Sequence, residues 1–239
     1  SVAKVGGNTP IGKVVYTNFL DEDGGVHADL TISRLGDNKY RIVTGGADGN
    51  RDWVLLRNYR DDNGLNADIR IRTHEVATLG LWGPQAEAAL GNFIDPNEIT
   101  LENFPFVTAK NLTLSLSGGK KIEVWAARIS YVGENGWEIY LNNNSEEGLA
   151  LYDSLLEVGV VPVGIETYAN SRRLEKSFRL QGADLETEYN ACEAAIQRPL
   201  VKEADFHGKA AYLIHREEEP CALLCTMTVD DLCVSGEAR

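Results

Sequence analysis

Two acidic residues stand where β-strands are expected, and both could carry chemistry. Asp29 lies in a stretch where Val26, Ala28 and Leu30 recur at every second position, so its side chain points to the face opposite these apolar groups. Because aspartate is disfavoured inside strands, we expect a reason for its presence there. The carboxylate either serves as an acid–base group or counter-charge to a cation, or it faces solvent at a sheet edge.

The second acidic residue, Glu138, directly follows Trp137 in a strand predicted over residues 137–141. A carboxylate can accept two hydrogen bonds side by side from a ligand that presents two donors. The alternative interpretation is an ordinary strand glutamate that is solvated. A neighbouring carboxylate, Glu134, lies in a turn and is interpreted as structural.

Common signatures of catalysis and cofactor binding are missing from the sequence. There is no G-x-S-x-G, P-loop, G-x-G-x-x-G or H-E-x-x-H segment. The four histidines are scattered and are interpreted as surface or strand residues. No metal site is expected, because Cys221 and Cys225 have no second ligand pair at zinc-finger spacing. Together with Cys192 and Cys233 they are interpreted as reduced thiols.

The overall charge excludes some classes of partner. The 239 residues include 36 acidic and 23 basic side chains, which give a net charge of −13. We therefore expect no nucleic-acid partner and no attraction to anionic membranes. No apolar run is long enough to cross a bilayer, and no signal peptide is visible. The expected compartment is the cytoplasm, or the mitochondrial matrix if the chain is eukaryotic.

Short strands separated by glycine-rich turns must position the two carboxylates. The alternation and turn residues predict an antiparallel meander over residues 12–20, 26–35 and 40–44. A helix is expected to begin at Asp48 or Asn50 and to end at Asn63. Five later segments are strand candidates because their apolar residues form short runs or alternate with polar ones: 67–72, 76–82, 106–116, 121–131 and 137–141.

The second half adds helices to the hairpins. The sequence from Ser117 to Lys120 contains two glycines and predicts the turn of a hairpin. Further helices are predicted over residues 83–90, 167–178 and 208–216, and a strand over 221–229. This pattern favours an α+β fold of mostly antiparallel sheets with packed helices. A helix capped by Ser145 and stopped by Gly159 is expected to bury one face, made of Leu149, Tyr152, Leu155 and Leu156.

Four segments occur together in one order and carry a family resemblance. The first runs from Tyr16 and ends in Gly-Gly-Val-His-Ala-Asp-Leu, and the second is Leu-Trp-Gly-Pro-Gln-Ala from Leu81. The third is Tyr-Val-Gly-Glu-Asn-Gly-Trp-Glu from Tyr131. The fourth combines Arg-Leu-Glu-Lys from Arg173 with Arg-Leu-Gln-Gly-Ala-Asp-Leu from Arg179. Over residues 11–216 the set resembles the folate-binding aminomethyltransferase family, which includes the glycine-cleavage T protein and the tetrahydrofolate domains of dimethylglycine and sarcosine dehydrogenases.

The resemblance implies tetrahydrofolate as the cofactor and gives two carboxylates a role. It places Asp29 beside the reactive nitrogens of the folate, as the catalytic residue that orients the attacking amine and stabilises an iminium cation. It places Glu138 against the edge of the pterin ring, where the carboxylate accepts from two donors. The implied fold is that of the aminomethyltransferase folate-binding domain.

Three further residues match cofactor-binding positions of the family. Tyr16 and Tyr131 match aromatic positions that line the folate pocket, with core packing as the alternative. Arg173 matches the arginine of a Leu-Arg-Leu-Glu segment, and we expect it to pair internally with a carboxylate. Direct contact of Arg173 with the folate tail is the alternative. Ala169 stands where the stand-alone T protein usually has another arginine.

The implied activity is tetrahydrofolate-dependent transfer of an aminomethyl or methyl group from an amine-derived donor, within a larger protein. A carrier protein or a fused dehydrogenase would deliver the group, and FAD would belong to a separate domain of the parent, if it is used at all. The alternatives are a non-catalytic folate-binding or regulatory module and an interaction domain without a ligand. Both ends are interpreted as cut: residues 1–217 form the folate-binding domain without its N-terminal part, and residues 218–239 begin a truncated C-terminal β domain.

Overall fold

The computed structural model of the chain describes residues 5–6, 8–142, 145–197, 201–228 and 230. These residues form two antiparallel sheets with helices packed around them. The predicted α+β class is confirmed. Within the described part of the chain, no helix is long and apolar enough to span a bilayer.

The first sheet is the predicted meander. Its strands are β1 (Val14–Leu20), β2 (Val26–Gly36) and β3 (Lys39–Thr44), paired antiparallel in that order. The apolar residues of β2 that alternate with Asp29 are buried: Ala28 is 0% and Leu30 3% exposed. Asp29 therefore lies on the opposite face, as the period of two predicts.

The second sheet has four strands in the order β4-β7-β6-β5. They are β4 (Val76–Trp82), β5 (Ala109–Ser115), β6 (Lys121–Ala127) and β7 (Gly136–Asn142), and every neighbouring pair is antiparallel. The predicted hairpin joins β5 to β6. Both of its central glycines have positive φ, a conformation that side chains disfavour.

The two faces of the second sheet have different partners. One face packs on the short helix α1 (Ala86–Leu90) and on α2 (Ser145–Glu157), around a core that contains Trp137, Ile139 and Leu141 of β7. Residues at the alternate positions of β7 point to the other side. On that side Tyr140 belongs to an apolar cluster that also contains Val14 of β1 and against which Val43 of β3 packs. The face that carries Glu138 is therefore turned towards the first sheet.

The buried face predicted for α2 is wrong in three of its four residues. Leu155 is buried, but Leu149 is 62% exposed and Tyr152 and Leu156 are each 38% exposed. The helix packs on the sheet through Leu151 and Leu155, which lie one turn apart, because only a narrow strip of its surface meets the sheet. The proposed cap depends on the side chain of Ser145, which the structure does not describe.

The remaining helices follow the sequence prediction in part. The helix Gly49–Asp62 follows β3, and Asp48 precedes it as predicted but makes no side-chain capping bond. The helix expected over residues 167–178 is instead a π-helical turn, Thr167–Arg172, continued by one turn of α-helix, Arg173–Glu175. A last helix, Lys209–Glu217, lies close to its predicted bounds.

Two predicted strands are wrong. Residues 67–72 form a loop whose side chains are largely exposed, and no neighbouring strand among the described residues pairs with them. Residues 221–228 are likewise not part of a sheet, and they meet the rest of the chain through bonds such as Leu224 N to Glu193 O at 2.8 Å. Val229 and residues 231–239 lie outside the described residues.

Candidate functional site

A cleft lies on the face of the second sheet that carries Glu138. Its volume is about 500 Å³, within the range of about 300–1,000 Å³ typical of small-molecule sites. Strands of both sheets and the segment before the π-helical turn contribute to it. The lining residues are Val43, Thr78, Gly80, Trp82, Glu138, Tyr140, Val163, Gly164, Ile165 and Tyr168.

Strand register explains why the polar residues of the cleft come together. In the β4–β7 ladder, Thr78 pairs with Tyr140 and Gly80 pairs with Glu138. Directly paired residues of antiparallel strands share a face, so these four positions form one patch. Their neighbour Trp137 points to the other face and is fully buried in the core.

Glu138 is a half-buried carboxylate that has a hydrogen-bond donor but no cation. The Tyr140 hydroxyl donates to Glu138 Oε2. Among the described residues, no lysine, arginine or histidine forms an ion pair with Glu138. Burial raises the pKa of Glu138, and the bond from Tyr140 partly offsets this rise. The carboxylate is thus suited to a ligand that brings its own donors.

Gly80 leaves room for the ring of Trp82 beside Glu138. A Cβ atom at position 80 would overlap the six-membered part of that ring. The indole Nε1 of Trp82 donates to Ile129 O at 2.9 Å, which holds the ring in place. Its plane stacks on Tyr168, with the ring centroids 5.4 Å apart.

Tyr168 begins a row of aromatic rings that leads away from the cleft. Its ring lies 5.5 Å from that of Tyr131, which in turn stacks on Phe178 at 6.0 Å. Burial, with a smaller contribution from the charge of Glu138, raises the pKa of Tyr168 to about 12, so its phenol stays neutral. Tyr131 donates from its hydroxyl to Arg179 O at 2.7 Å.

Asp29 lies on β2 opposite Asn18 of β1. The Asn18 side-chain nitrogen donates to Asp29 Oδ1 at 3.2 Å, and Asn18 itself is only 2% exposed. The negative charge of Asp29 helps to raise the pKa of the Tyr131 phenol, after the larger effect of burial. Asp29 is thus near enough to Tyr131 to act on it electrostatically, although it is not among the residues that line the cleft.

The other two predicted cofactor-binding residues lie outside the cleft lining. Tyr16 is on β1, on the same face as Asn18, and is 36% exposed. Arg173 is 6% exposed and pairs with Asp184. Arg173 also donates to Ala169 O at 2.7 Å and to Phe178 O at 3.1 Å. The expected internal pairing of Arg173 with a carboxylate is confirmed, while contacts of Tyr16, Tyr131, Glu138 or Arg173 with folate stay predictions.

Trp82, Tyr140 and Tyr168 are cleft residues that sequence reasoning did not single out. Trp82 lies in one of the quoted segments, and Tyr140 follows Glu138 at the spacing that shares a strand face, so both signals were present. No sequence signal pointed to Tyr168, because the π-helical turn changes which side chains of this segment face the sheet. Glu134 pairs with Arg172 at the base of this turn, which agrees with a structural role. In the described ranges, no group of three metal-ligating side chains is placed to hold an ion.

Comparisons with known proteins agree on one family. The family model of the GCVT N-terminal domain matches residues 3–203. Dimethylglycine dehydrogenase of Homo sapiens, a mitochondrial protein, is 34% identical over 237 residues, which are 95% of this chain and 26% of that protein. An aminomethyltransferase of Symbiobacterium thermophilum is 31% identical over 228 residues, 92% of this chain and 59% of that protein.

A solved structure has the same fold. The crystal structure of the glycine cleavage system aminomethyltransferase T from Bartonella henselae superposes with a TM-score of 0.72, at 24% identity, over 89% of this chain and 55% of that one. The chain thus spans about a quarter of the length of the dehydrogenase and rather more than half of the two aminomethyltransferases.

Proposed function

The chain belongs to the GCVT N-terminal domain family, and from that membership we propose that it binds tetrahydrofolate and transfers a one-carbon group to it. The observation that carries the proposal is Glu138. A carboxylate at the base of a cleft, raised in pKa by burial and without a cationic partner among the described residues, is costly to keep unless a ligand uses it.

The pterin edge matches the requirement of Glu138. A pterin presents two neighbouring N–H donors, and a carboxylate can accept both in a fork. Tyr140 occupies part of Oε2 and leaves the remaining lone pairs of the carboxylate for the ligand. The flat ring system would lie near Trp82 and Tyr168, whose aromatic faces offer stacking area.

Asp29 supports transfer rather than binding alone. When bound, tetrahydrofolate supplies the nucleophilic nitrogens that take up the one-carbon group. Asp29 would stabilise positive charge that develops on the donor and would hold a proton near the reacting nitrogen. Asn18 holds Oδ1 of this carboxylate in one orientation. A module that only binds folate has no need of a carboxylate fixed in this way.

We propose an amine-derived donor that carries an aminomethyl or methyl group. Matches to both a dimethylglycine dehydrogenase and an aminomethyltransferase support this class of donor. They also support delivery by a dehydrogenase fused to this domain or by a separate carrier protein, with any FAD held outside this chain. The compartment we propose is the cytoplasm, or the mitochondrial matrix for a eukaryotic protein.

Thermal unfolding tests the binding step. Tetrahydrofolate at about one hundred times its dissociation constant should stabilise the chain by about 2.7 kcal/mol. The same concentration should give a much smaller rise in melting temperature for Glu138→Gln, while the exposed-site variant Glu102→Gln should respond like the wild type. No rise in the wild-type melting temperature, or an equal rise in all three proteins, would contradict the proposal.

A further inference from the structure

Tyr140 and Glu138 lie two residues apart on β7, on the face that lines the cleft. The Tyr140 hydroxyl donates to Oε2 of Glu138. Both residues belong to the same wall, so the bond fixes the rotation of the carboxylate relative to the ligand space. The second oxygen, Oε1, receives no bond from the protein in the described residues and is free to accept from a ligand.

The ring of Tyr140 is itself held firmly. It is 8% exposed and packs on Trp125 of the neighbouring strand β6, with the ring centroids 5.0 Å apart. Arg41 of β3 covers the same pair: its guanidinium carbon lies 4.1 Å from the Trp125 ring and 5.5 Å from that of Tyr140. The Tyr140 ring is thus held by Trp125 of β6 and by Arg41 of β3 in the first sheet. Its hydroxyl therefore has little freedom to leave Glu138.

From this geometry we propose that Tyr140 is a positioning residue, which orients the Glu138 carboxylate for the two donors of the pterin edge. The inference rests on the proposed function, since it concerns the same cleft and the same ligand. It assigns to Tyr140 a role in folate recognition that acts entirely through Glu138.

The charge of Glu138 depends on the same bond. Burial raises the pKa of Glu138, and the hydrogen bond from Tyr140 lowers it. The other titratable group that faces the carboxylate is Tyr168 of the π-helical turn, which is neutral, while Arg41 of β3 faces the Tyr140 ring. Without the Tyr140 hydroxyl, nothing offsets the effect of burial on the pKa of Glu138, so the carboxyl group keeps its proton to a higher pH. A protonated carboxyl has one acceptor fewer and turns a donor towards the donors of the pterin.

Calorimetric titration with tetrahydrofolate, repeated from acid to mildly alkaline pH, tests the proposal. We expect wild-type affinity to fall towards acid pH. We expect Tyr140→Phe to bind more weakly than the wild type throughout, because its Glu138 carboxylate is no longer held in one orientation, and to show the acid fall at a higher pH. On the acid side the variant should lose about tenfold in affinity, the equivalent of one hydrogen bond to a charged group. Tyr152→Phe, on the exposed side of α2, should match the wild type.

The outcomes separate this inference from the proposed function. If Glu138→Gln binds tetrahydrofolate as tightly as the wild type, the proposed function fails whatever Tyr140→Phe does. If Glu138→Gln loses affinity but Tyr140→Phe keeps the wild-type profile, or loses affinity equally at every pH, only the role of Tyr140 is overturned. Should Tyr140→Phe fail to fold, site-specific 3-fluorotyrosine at position 140, a stronger donor, must move the fall in affinity to lower pH; an unmoved profile overturns the inference.

Discussion

Asn18 and Asp29 face each other across the β1–β2 ladder, and the Asn18 amide holds one oxygen of the Asp29 carboxylate at 3.2 Å. The pair combines a buried donor with a half-buried acid at a point where two strands are in register. A carboxylate fixed in this way can keep its charge directed to one place while a reaction proceeds next to it.

Asp29→Asn should therefore lower the rate of one-carbon transfer and leave binding nearly unchanged. We expect turnover to fall by roughly 10²–10⁴, the range for a positioned acid–base group, with tetrahydrofolate affinity close to wild type. The assay needs the parent protein with its amine donor and quantifies the folate product. Asp37→Asn, in an exposed turn of the same sheet, is the matched control.

Two results would contradict this role of Asp29. Product formation at the wild-type rate would show that the carboxylate is not catalytic. Loss of tetrahydrofolate binding, with unchanged turnover at saturation, would make Asp29 an anchor for the ligand and would favour the non-catalytic binding module.

Glu138→Gln should stabilise the ligand-free protein at neutral pH while weakening folate binding by about 1.5–3 kcal/mol. The pKa of Glu138 is higher in the folded than in the unfolded chain, so the folded chain binds more protons above the ordinary glutamate pKa. The free energy of unfolding therefore falls as pH rises through the interval between the two pKa values, and it stays lower above it. Glutamine removes this loss and can still accept from Tyr140.

Urea unfolding at acid and neutral pH measures the stability effect of Glu138→Gln. The difference between wild type and variant should grow from acid to neutral pH, in favour of the variant. A variant that is less stable than the wild type at neutral pH, or a difference that does not change with pH, would refute the assignment of a half-buried carboxylate without a cationic partner among the described residues. Glu102→Gln, at an exposed position, should show neither effect.

Gly80→Ala should damage the cleft without any change of charge. The new methyl group must displace the Trp82 ring, which breaks its bond to Ile129 O and its stacking on Tyr168. We expect a loss of about 1–3 kcal/mol in stability from overpacking, and weaker tetrahydrofolate binding. Gly148→Ala provides the comparison, because its methyl group on α2 meets no atom within 4 Å and should be neutral or slightly stabilising.

Arg173→Met should destabilise the fold far more than Arg172→Met. Removal of one partner from the buried pair with Asp184 costs about 3–5 kcal/mol, whereas the more exposed pairs of Arg172 are worth about 0–1 kcal/mol. Chemical denaturation measures both losses. Arg173→Lys distinguishes internal pairing with Asp184 from contact with the folate tail. If this variant has near-normal stability but a large loss of folate affinity, the result would support contact with the folate tail.

The sequence was sufficient to predict the first sheet and the face of the Asp29 carboxylate. Asp29 sits in a strand whose apolar neighbours alternate, and alternation depends only on local backbone geometry. The hairpin at Gly118 and Gly119 was predictable for the same reason, since its glycines are required by their positive φ.

Features that depend on distant partners were not predictable. Leu149 and Leu156 have the spacing of a buried stripe, yet the strip of α2 that meets the sheet runs along Leu151 and Leu155, a choice made by tertiary contacts. Residues 67–72 have strand-like composition but no neighbour to pair with. Tyr168 reaches the cleft only because of a π-helical turn, which leaves no periodic signal in the sequence.

The stacked pair of Trp82 and Tyr168 places an intrinsic fluorophore, the indole of Trp82, in the wall of the cleft. If a reduced pterin binds in the cleft as proposed, it would take up excitation energy from the nearby indole, because reduced pterins absorb in the near ultraviolet. Occupancy should thus register as quenched tryptophan emission, and Trp82→Phe would silence that part of the signal while the three other tryptophans of the chain continue to emit. The architecture that shapes the site also supplies a built-in fluorophore for following its occupancy in real time.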